Sequence, residues 1–378
     1  MAGNFVQLHN HTHYSLLDGA SKVPDLVKRV KELGMPAVGI TDHGNMHGAY
    51  ELWRAAVDSG VKPIIGIEAY VTPETARQDK TRVSWDTNWT PVPGHARNPD
   101  DVSGGGLITH LTMWAENDEG LVNLIKASSV ANLEGRVMRY PRMDKEVLST
   151  YSKGVIASSG CPSGIIQTRL RLGQFDEALR AAGEFQDIFG KDNFYIELMD
   201  HGLSIESKVT GDLLTIAKKL GAPLLATNDS HYVMEADKDA QDAMLCINSG
   251  STLDEPGRFK FDGTGYYIKS AEEMRELFKD HPDACDNTLE IAERCNVIFD
   301  DHEDGAFMPQ FDCPEGWTRP RCSLKKGRGR AWRSATTAPP MEVLKQADYE
   351  CGVICQMQFC GYVPRRRRLH ATGRRTHA

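Results

Sequence analysis

Two histidines with one residue between them, His9 and His11, end the apolar run Phe5–His9. In an extended chain, side chains two apart point the same way, so both imidazoles can reach one point. Metal-competent side chains recur at or after the other apolar runs. Asp18 lies in the next loop, Asp42 and His43 follow Ala37–Thr41, and Glu68 sits late in Pro63–Tyr70. His110 falls within Leu107–Met113, Cys161 follows Gly154–Ser158, Asp200 and His201 follow Asn193–Met199, and Asp229 and His231 follow Pro223–Thr227. Imidazole with carboxylate and one thiol favours Zn²⁺, Mn²⁺ or Fe²⁺ over Mg²⁺, which prefers an oxygen shell. The donors exceed the needs of one ion and predict two or three clustered ions. Such clusters polarise phosphoryl oxygens, lower the pKa of a bridging water and stabilise a leaving oxygen. The chemistry expected is hydrolysis of a phosphate ester, whether a small monoester or a nucleic-acid backbone.

Those runs need elements to aim them. Ile64-Ile65-Gly66-Ile67 is apolar throughout, as in a parallel strand covered on both faces. Between most runs lie amphipathic helical patterns: Val23–Leu33, Asp118–Leu133, Phe175–Phe189 and Ile205–Leu220. In Phe175–Phe189 the apolar positions Phe175, Ala178, Leu179, Ala182, Phe185, Ile188 and Phe189 trace one face of a 3.6-residue period. Repetition of strand then helix through residue 250 predicts an α/β fold with a parallel barrel, closed or nearly so. A doubly wound open sheet is the alternative. Active sites of parallel barrels sit at the C-terminal ends of the strands, where these donors are expected. The connection Thr72–Gly106, rich in Pro, Gly, Asp and Asn and carrying Trp85 and Trp89, breaks the rhythm; loops of that length are usually functional. Gly263–Ser270 reads as a strand, and Ala271–Phe278 and Pro282–Cys295 as helices.

The 378 residues carry a net charge of −8, unevenly spread. Residues 319–378 hold 14 of the 44 basic residues and three of the 52 acidic ones, a balance of +11. The remaining 30 basic and 49 acidic residues put the body at −19. An acidic body argues against tight unassisted binding to nucleic acid, although bound metal ions would change the balance locally. No long apolar run and no basic-then-apolar leader is present, so a cytoplasmic protein with no membrane partner is expected. Nine irregularly spaced cysteines fit a reducing compartment.

His9-Asn10-His11, Thr41-Asp42-His43-Gly44, Glu68, His110, Cys161 and Asp229-Ser230-His231 resemble the motifs of the polymerase and histidinol phosphatase (PHP) superfamily. That resemblance implies a distorted seven-stranded (βα) barrel with a trinuclear metal centre. The nine family ligand positions match here as His9, His11, Asp18, His43, Glu68, His110, Cys161, Asp229 and His231, with none missing. Longer phrases, Leu16-Leu17-Asp18-Gly19, Pro63–Glu68, Glu197–Leu203 and Ala226–Tyr232, resemble the alpha subunits of bacterial DNA polymerase III from about residue 5 to 317. An intact ligand set implies a metal-dependent 3′–5′ proofreading exonuclease acting on a primer-template 3′ end. His43, His110 or Asp229 would assist proton transfer. In a parent polymerase the partners would be the sliding clamp and a separate exonuclease subunit. A non-catalytic metal-stabilised scaffold and a small-molecule phosphatase are the rival readings. Asp200 and His201 belong to the polymerase phrases but are expected outside the ligand set; His13 and His47 are bystanders.

The domains expected are a barrel over 1–250, an irregular extension over 251–317 packed on it, and a tail over 318–378. Residues 318–340 lack any hydrophobic period, Lys345–Met357 resumes the family's wording for the start of a polymerase region, and from Pro364 the wording fails again. A disordered nucleic-acid-binding arm around Arg365–Arg368 is the simple reading. Two frame disruptions in a GC-rich gene are preferred, because Pro364–His370 can be encoded so that a one-base shift reads Leu-Val-Val-Ala-Asp-Phe, the family's apolar phrase. The polymerase palm would lie beyond residue 378, so polymerisation is not expected of these residues alone.

Overall fold

The computed structural model describes residues 5–16, 18–86, 90, 98, 100–101, 105–300 and 340–357, in two units, Met1–Phe299 and Asp300–Ala378. Leu17, Trp89, residues 318–339 and the basic tail with Arg365–Arg368 lie outside the described residues.

Seven strands make one curled sheet. They are β1 (Ala37–Ile40), β2 (Lys62–Val71), β3 (Thr109–Ala115), β4 (Arg142–Met143), β5 (Val155–Ser158), β6 (Phe194–Leu198) and β7 (Leu224–Ala226). Their order is β1-β2-β3-β5-β6-β7, with β4 paired to Tyr70 and Val71 of β2. The run Phe5–His9, expected as a strand, forms no continuous ladder. It makes single parallel bridges instead, Gln7 with Val38 of β1 and Asn10 with Ser230 just past β7. By touching both edges it closes the sheet into a distorted barrel. Gly39 permits that approach, since a side-chain carbon there would lie 2.5 Å from the Leu8 carbonyl oxygen.

Pairing is parallel except at β3, which runs antiparallel to both β2 and β5. This corrects the all-parallel expectation, and the cause is local. The sequence shows no helical period between Thr72 and Gly106, and the described residues there form no helix; a strand that follows without a crossover helix returns antiparallel. The start of β3 therefore lies with the C-terminal ends of the other strands: His110 pairs with Tyr70, at the end of β2. β3 also begins two residues later than expected. Gly263–Ser270 is not a strand; its one ladder contact is a bridge from Tyr267 to Tyr232.

The helices are α1 (Val23–Glu32), α2 (Ala49–Ser59), α3 (Asp118–Glu134), α4 (Lys145–Thr150), α5 (Ile165–Arg171), α6 (Phe175–Phe189), α7 (Ser204–Leu220), α8 (Lys238–Ser249), α9 (Ala271–Leu277) and α10 (Pro282–Arg294). α1 starts at a first-turn proline and buries Val23, Leu26, Val27 and Val30, a stripe at helical spacing. The Asn117 side chain caps α3 by accepting from Gly120 N. One apolar layer packs these helices on the sheet, through side chains such as Leu26, Leu52, Ile65, Phe185 and Phe194. Burying each such side chain contributes about 1.5–3 kcal/mol. A second cluster, Val6, Leu8, Ala37, Ile64, Trp114, Ile156 and Leu225, packs against Ile291, Ala292 and Cys295 at the end of α10. Many of its members stand at strand starts, so α10 closes the end of the barrel away from the histidines. In the second unit, α11 (Met341–Gln356) has no buried residue. No helix among the described residues is long and apolar enough to cross a membrane.

Candidate metal centre

The donors meet where the first segment, β2, the start of β3 and the turn after β7 converge. Glu68 stands at their middle, 1% exposed. Its Oε1 lies 3.5 Å from His9 Nε2 and 3.2 Å from His110 Nδ1; its Oε2 lies 2.6 Å from His43 Nδ1 and 3.6 Å from His11 Nε2. Asp229 Oδ1 lies 2.9 Å from His11 Nε2 and 3.4 Å from His9 Nε2. The His231 and His43 rings both stack on His11, at 4.3 and 4.1 Å between centroids. Asp18 reaches His43 Nε2 at 3.3 Å, and Cys161 Sγ reaches His110 Nδ1 at 3.4 Å. All nine side chains singled out in the sequence are joined in this one cluster. Three overlapping groups, His11/His43/His231, His9/His11/Asp229 and His43/Glu68/His110, each bring three donor atoms within 4.8 Å of one another.

The residues fit metal ions by a specific observation. His9 Nε2, His11 Nε2, His43 Nδ1, both Glu68 oxygens, Asp18 Oδ1 and Asp229 Oδ1 are buried and accept or donate no aligned hydrogen bond. Buried polar atoms without partners are costly, about 1–3 kcal/mol each, and so many in one place need a common partner. Donor separations near 3 Å are those that bonds of about 2.1 Å to a shared ion produce.

The opposite edges of the rings decide which nitrogen is free. His9 Nδ1 donates to Glu197 Oε1 at 2.7 Å, leaving the Nε2 lone pair for the cluster. Glu197, fully buried at the end of β6, also accepts from Thr227 Oγ1 at 2.5 Å and from Ser158 Oγ. Ser15 Oγ donates to Asp42 Oδ1 at 2.6 Å, so its lone pair faces His11 Nδ1 at 3.1 Å. Asp42 in turn accepts from Thr12 N at 2.7 Å. His231 Nδ1 is held by the Asp229 carbonyl at 2.8 Å. Asp229 has a left-handed backbone (φ 43), a strained conformation for a side chain-bearing residue.

Charge is distributed unevenly over the ion-free cluster. Burial opposes charge on His9 and His43, yet Glu197 with Asp229 at the first and Asp18 at the second hold both rings well above the usual histidine range. At His11 burial wins, helped by His43 and His231, and the ring is pushed down to about 3. Glu68 is buried and Asp229 largely so, but His110 with His43, and His9 with His231, keep both below the usual carboxylate range. Burial, then Glu68 and Asp229, push the Cys161 thiol up, so thiolate there requires a cation.

Of the other sequence candidates, Asp200 is exposed and its side chain accepts from Gly202 N. His201 is buried, but both its nitrogens face oxygens, Glu206 Oε1 at 2.7 Å and the Asn228 carbonyl at 2.9 Å, leaving none for a metal. His47 is exposed. Sequence reasoning missed Glu197, Ser15 and the buried role of Asp42, although Glu197 stands in the quoted phrase Glu197–Leu203.

Residues 7–201 match the PHP domain family. The chain belongs to that family. Among curated relatives, this PHP chain is 48% identical over 360 residues to the DNA polymerase III subunit alpha of Mycobacterium leprae, covering 95% of this chain and 30% of that protein. It is 55% identical over 291 residues to the same-named subunit of Saccharopolyspora erythraea, covering 77% of this chain and 24% of that protein. The chain thus spans less than a third of the length of these relatives. Among solved structures, a protein described as a metal-dependent phosphoesterase from Bifidobacterium adolescentis aligns at 15% identity and a TM-score of 0.35, covering 72% of this chain and 95% of that one. An amidohydrolase from Chromobacterium violaceum aligns at 14% identity and a TM-score of 0.36, over 72% of this chain and 96% of the other.

Proposed function

We propose that this chain is the PHP portion of a cytoplasmic replicative DNA polymerase III alpha subunit and hydrolyses the 3′-terminal phosphodiester of DNA. The observation that carries the hydrolase reading is the set of buried, unpartnered donor atoms around Glu68. His9, His11, Asp18, His43, Glu68, His110, Cys161, Asp229 and His231 would hold two or three divalent ions, Zn²⁺, Mn²⁺ or Fe²⁺. When bound, such ions supply Lewis acidity toward the phosphoryl oxygens and an acidified water. The chain's own part is positional. Glu197 and Ser15 orient His9 and His11, and the apolar cluster under α10 fills the opposite end of the barrel. His43, His110 and Asp229 border the solvent side with 12–15% of each side chain exposed, where a proton can be passed to or from substrate. The substrate would be a primer-template 3′ end, and the parent's partners would be the clamp and exonuclease subunits of a replicase.

The test is a 3′–5′ exonuclease assay of the full chain on a mismatched primer with Mn²⁺ or Zn²⁺, beside an Asp18→Asn plus His43→Ala control. Cleavage by the parent chain alone is the expected outcome. Metal binding without cleavage would replace the nuclease reading with that of a metal-stabilised scaffold.

A further inference from the structure

Resting on the hydrolase reading above, we propose that the turn at residues 135–141 is a phosphate clamp for single-stranded nucleic acid, with Arg136 and Arg139 as its contacts. A cleft of about 290 Å³ opens beside the donor cluster, and Asp18, His43, Tyr70, Arg136, Arg139 and Asn248 all line it. One wall of the cleft is therefore the cluster's open edge, and another is cationic.

The two arginines differ from most others in the barrel. Arg77, Arg169, Arg180, Arg258, Arg275 and Arg294 each pair with a carboxylate. Arg136 and Arg139 have no carboxylate partner among the described residues, although the body around them is strongly acidic. Arg139 Nη1 donates to Asn248 Oδ1 at 2.6 Å, a neutral contact that steers the guanidinium without cancelling its charge. Arg136 Nε donates to the Met138 carbonyl at 3.4 Å, also a neutral contact.

The turn is built to hold its shape. Val137 and Tyr140 exchange two backbone hydrogen bonds of 3.0 Å across Met138 and Arg139. Met138 takes a left-handed backbone (φ 54), which costs about 1 kcal/mol or more and persists where surrounding structure imposes it. Behind the turn, the fully buried Arg142 guanidinium donates to the carbonyls of Gly135, Leu107, Arg77 and Asp79 at 2.6–3.3 Å. Tyr140 packs edge-on to Tyr70 at 5.0 Å, and Tyr70 faces His43. The turn that carries the two arginines is thus tied to the donor cluster through a chain of packed rings.

A small monoester carries one phosphate, which the ion cluster itself would engage. Two further cations beyond it serve a ligand with more phosphates along a chain. In an acidic body that otherwise repels such a polyanion, two guanidinium groups without an ion-pair partner among the described residues are the local exception. A single strand suits the cleft, because a flexible backbone can bend from the arginines to the cluster.

The test is equilibrium binding, which needs no turnover. A fluorescein-labelled decathymidylate with a phosphorothioate 3′ linkage would be titrated with the full chain, with Mn²⁺ and with EDTA, at several salt concentrations. Arg136→Ala plus Arg139→Ala is expected to weaken binding about tenfold and to reduce the salt slope by about 0.7 per arginine. Its melting temperature should stay unchanged, since both side chains are exposed. Lys218→Ala plus Lys219→Ala, in the last turn of α7 at the far end of the barrel, removes equal charge and should leave binding intact. Equal loss in both double variants, or no loss in the arginine pair, overturns the clamp. A selective loss alongside a negative exonuclease assay keeps the clamp and removes only the hydrolase reading.

Discussion

Glu197 illustrates how a residue that touches no ion can govern a metal site. It is sealed from solvent and accepts hydrogen bonds from His9, Thr227 and Ser158. Its charge fixes the His9 proton on Nδ1 and so presents Nε2 to the cluster. Glu197→Gln keeps the shape but replaces one acceptor with a donor. We expect it to weaken metal affinity by about 10–100-fold, the usual cost of removing such a support. Competition against a chelating indicator measures this, and an unchanged affinity would show that packing alone orients His9. Ser15 and Asp42 relay the same service to His11 over one more bond. Such supports were hard to read in the sequence, because a glutamate inside an apolar strand has no spacing signal. The donors themselves were legible, since each lies in or just after an apolar run and together they match one family's motifs.

At the scale of elements, the segment after β2 shows what pins an irregular connection. Glu74 has a left-handed backbone (φ 63) and meets both Arg169 and Arg180. Burial would raise its carboxyl, but Arg180 and Arg169 outweigh it and hold the group below its ordinary value of 4.5. A depressed folded value means the stabilisation is complete above 4.5 and is lost as pH falls through the lower value. Comparing the parent with Glu74→Gln by chemical unfolding should give a gap of about 1–2 kcal/mol near neutral pH. The gap should close in acid; one that widens there would reverse the assignment. The element reading of the sequence succeeded where periodicity was strong, as in Phe175–Phe189, which is α6 to the residue. Strand direction was harder. Thr109–Ala115 has the composition of its parallel neighbours, and only the missing helix before it signalled a reversal. β4, two residues long, is too short for any pattern, and its buried Arg142 reads in sequence as an ordinary surface cation.

For the whole molecule, the proposed ions would act as a fastener. His9 and His11 come from the segment that closes the barrel, and Asp229 and His231 from the turn beyond β7. Ions shared by the two sides bind only the closed form, so they stabilise it by mass action. At ion concentrations about 100-fold above the dissociation constant this amounts to about 2.7 kcal/mol, or about 5–10 °C in melting temperature. Calorimetry of the chelated and reconstituted chain should find that difference, and its absence would mean that the seam holds without metal. The seam has a further consequence, in time rather than energy. His9 leaves the ribosome 220 residues before Asp229. At about 5–20 residues per second of synthesis, the opening segment waits roughly 10–40 s for its partner. Throughout that interval Val6 and Leu8 line an unfinished barrel, so the nascent chain exposes its inner apolar surface until the last turn arrives.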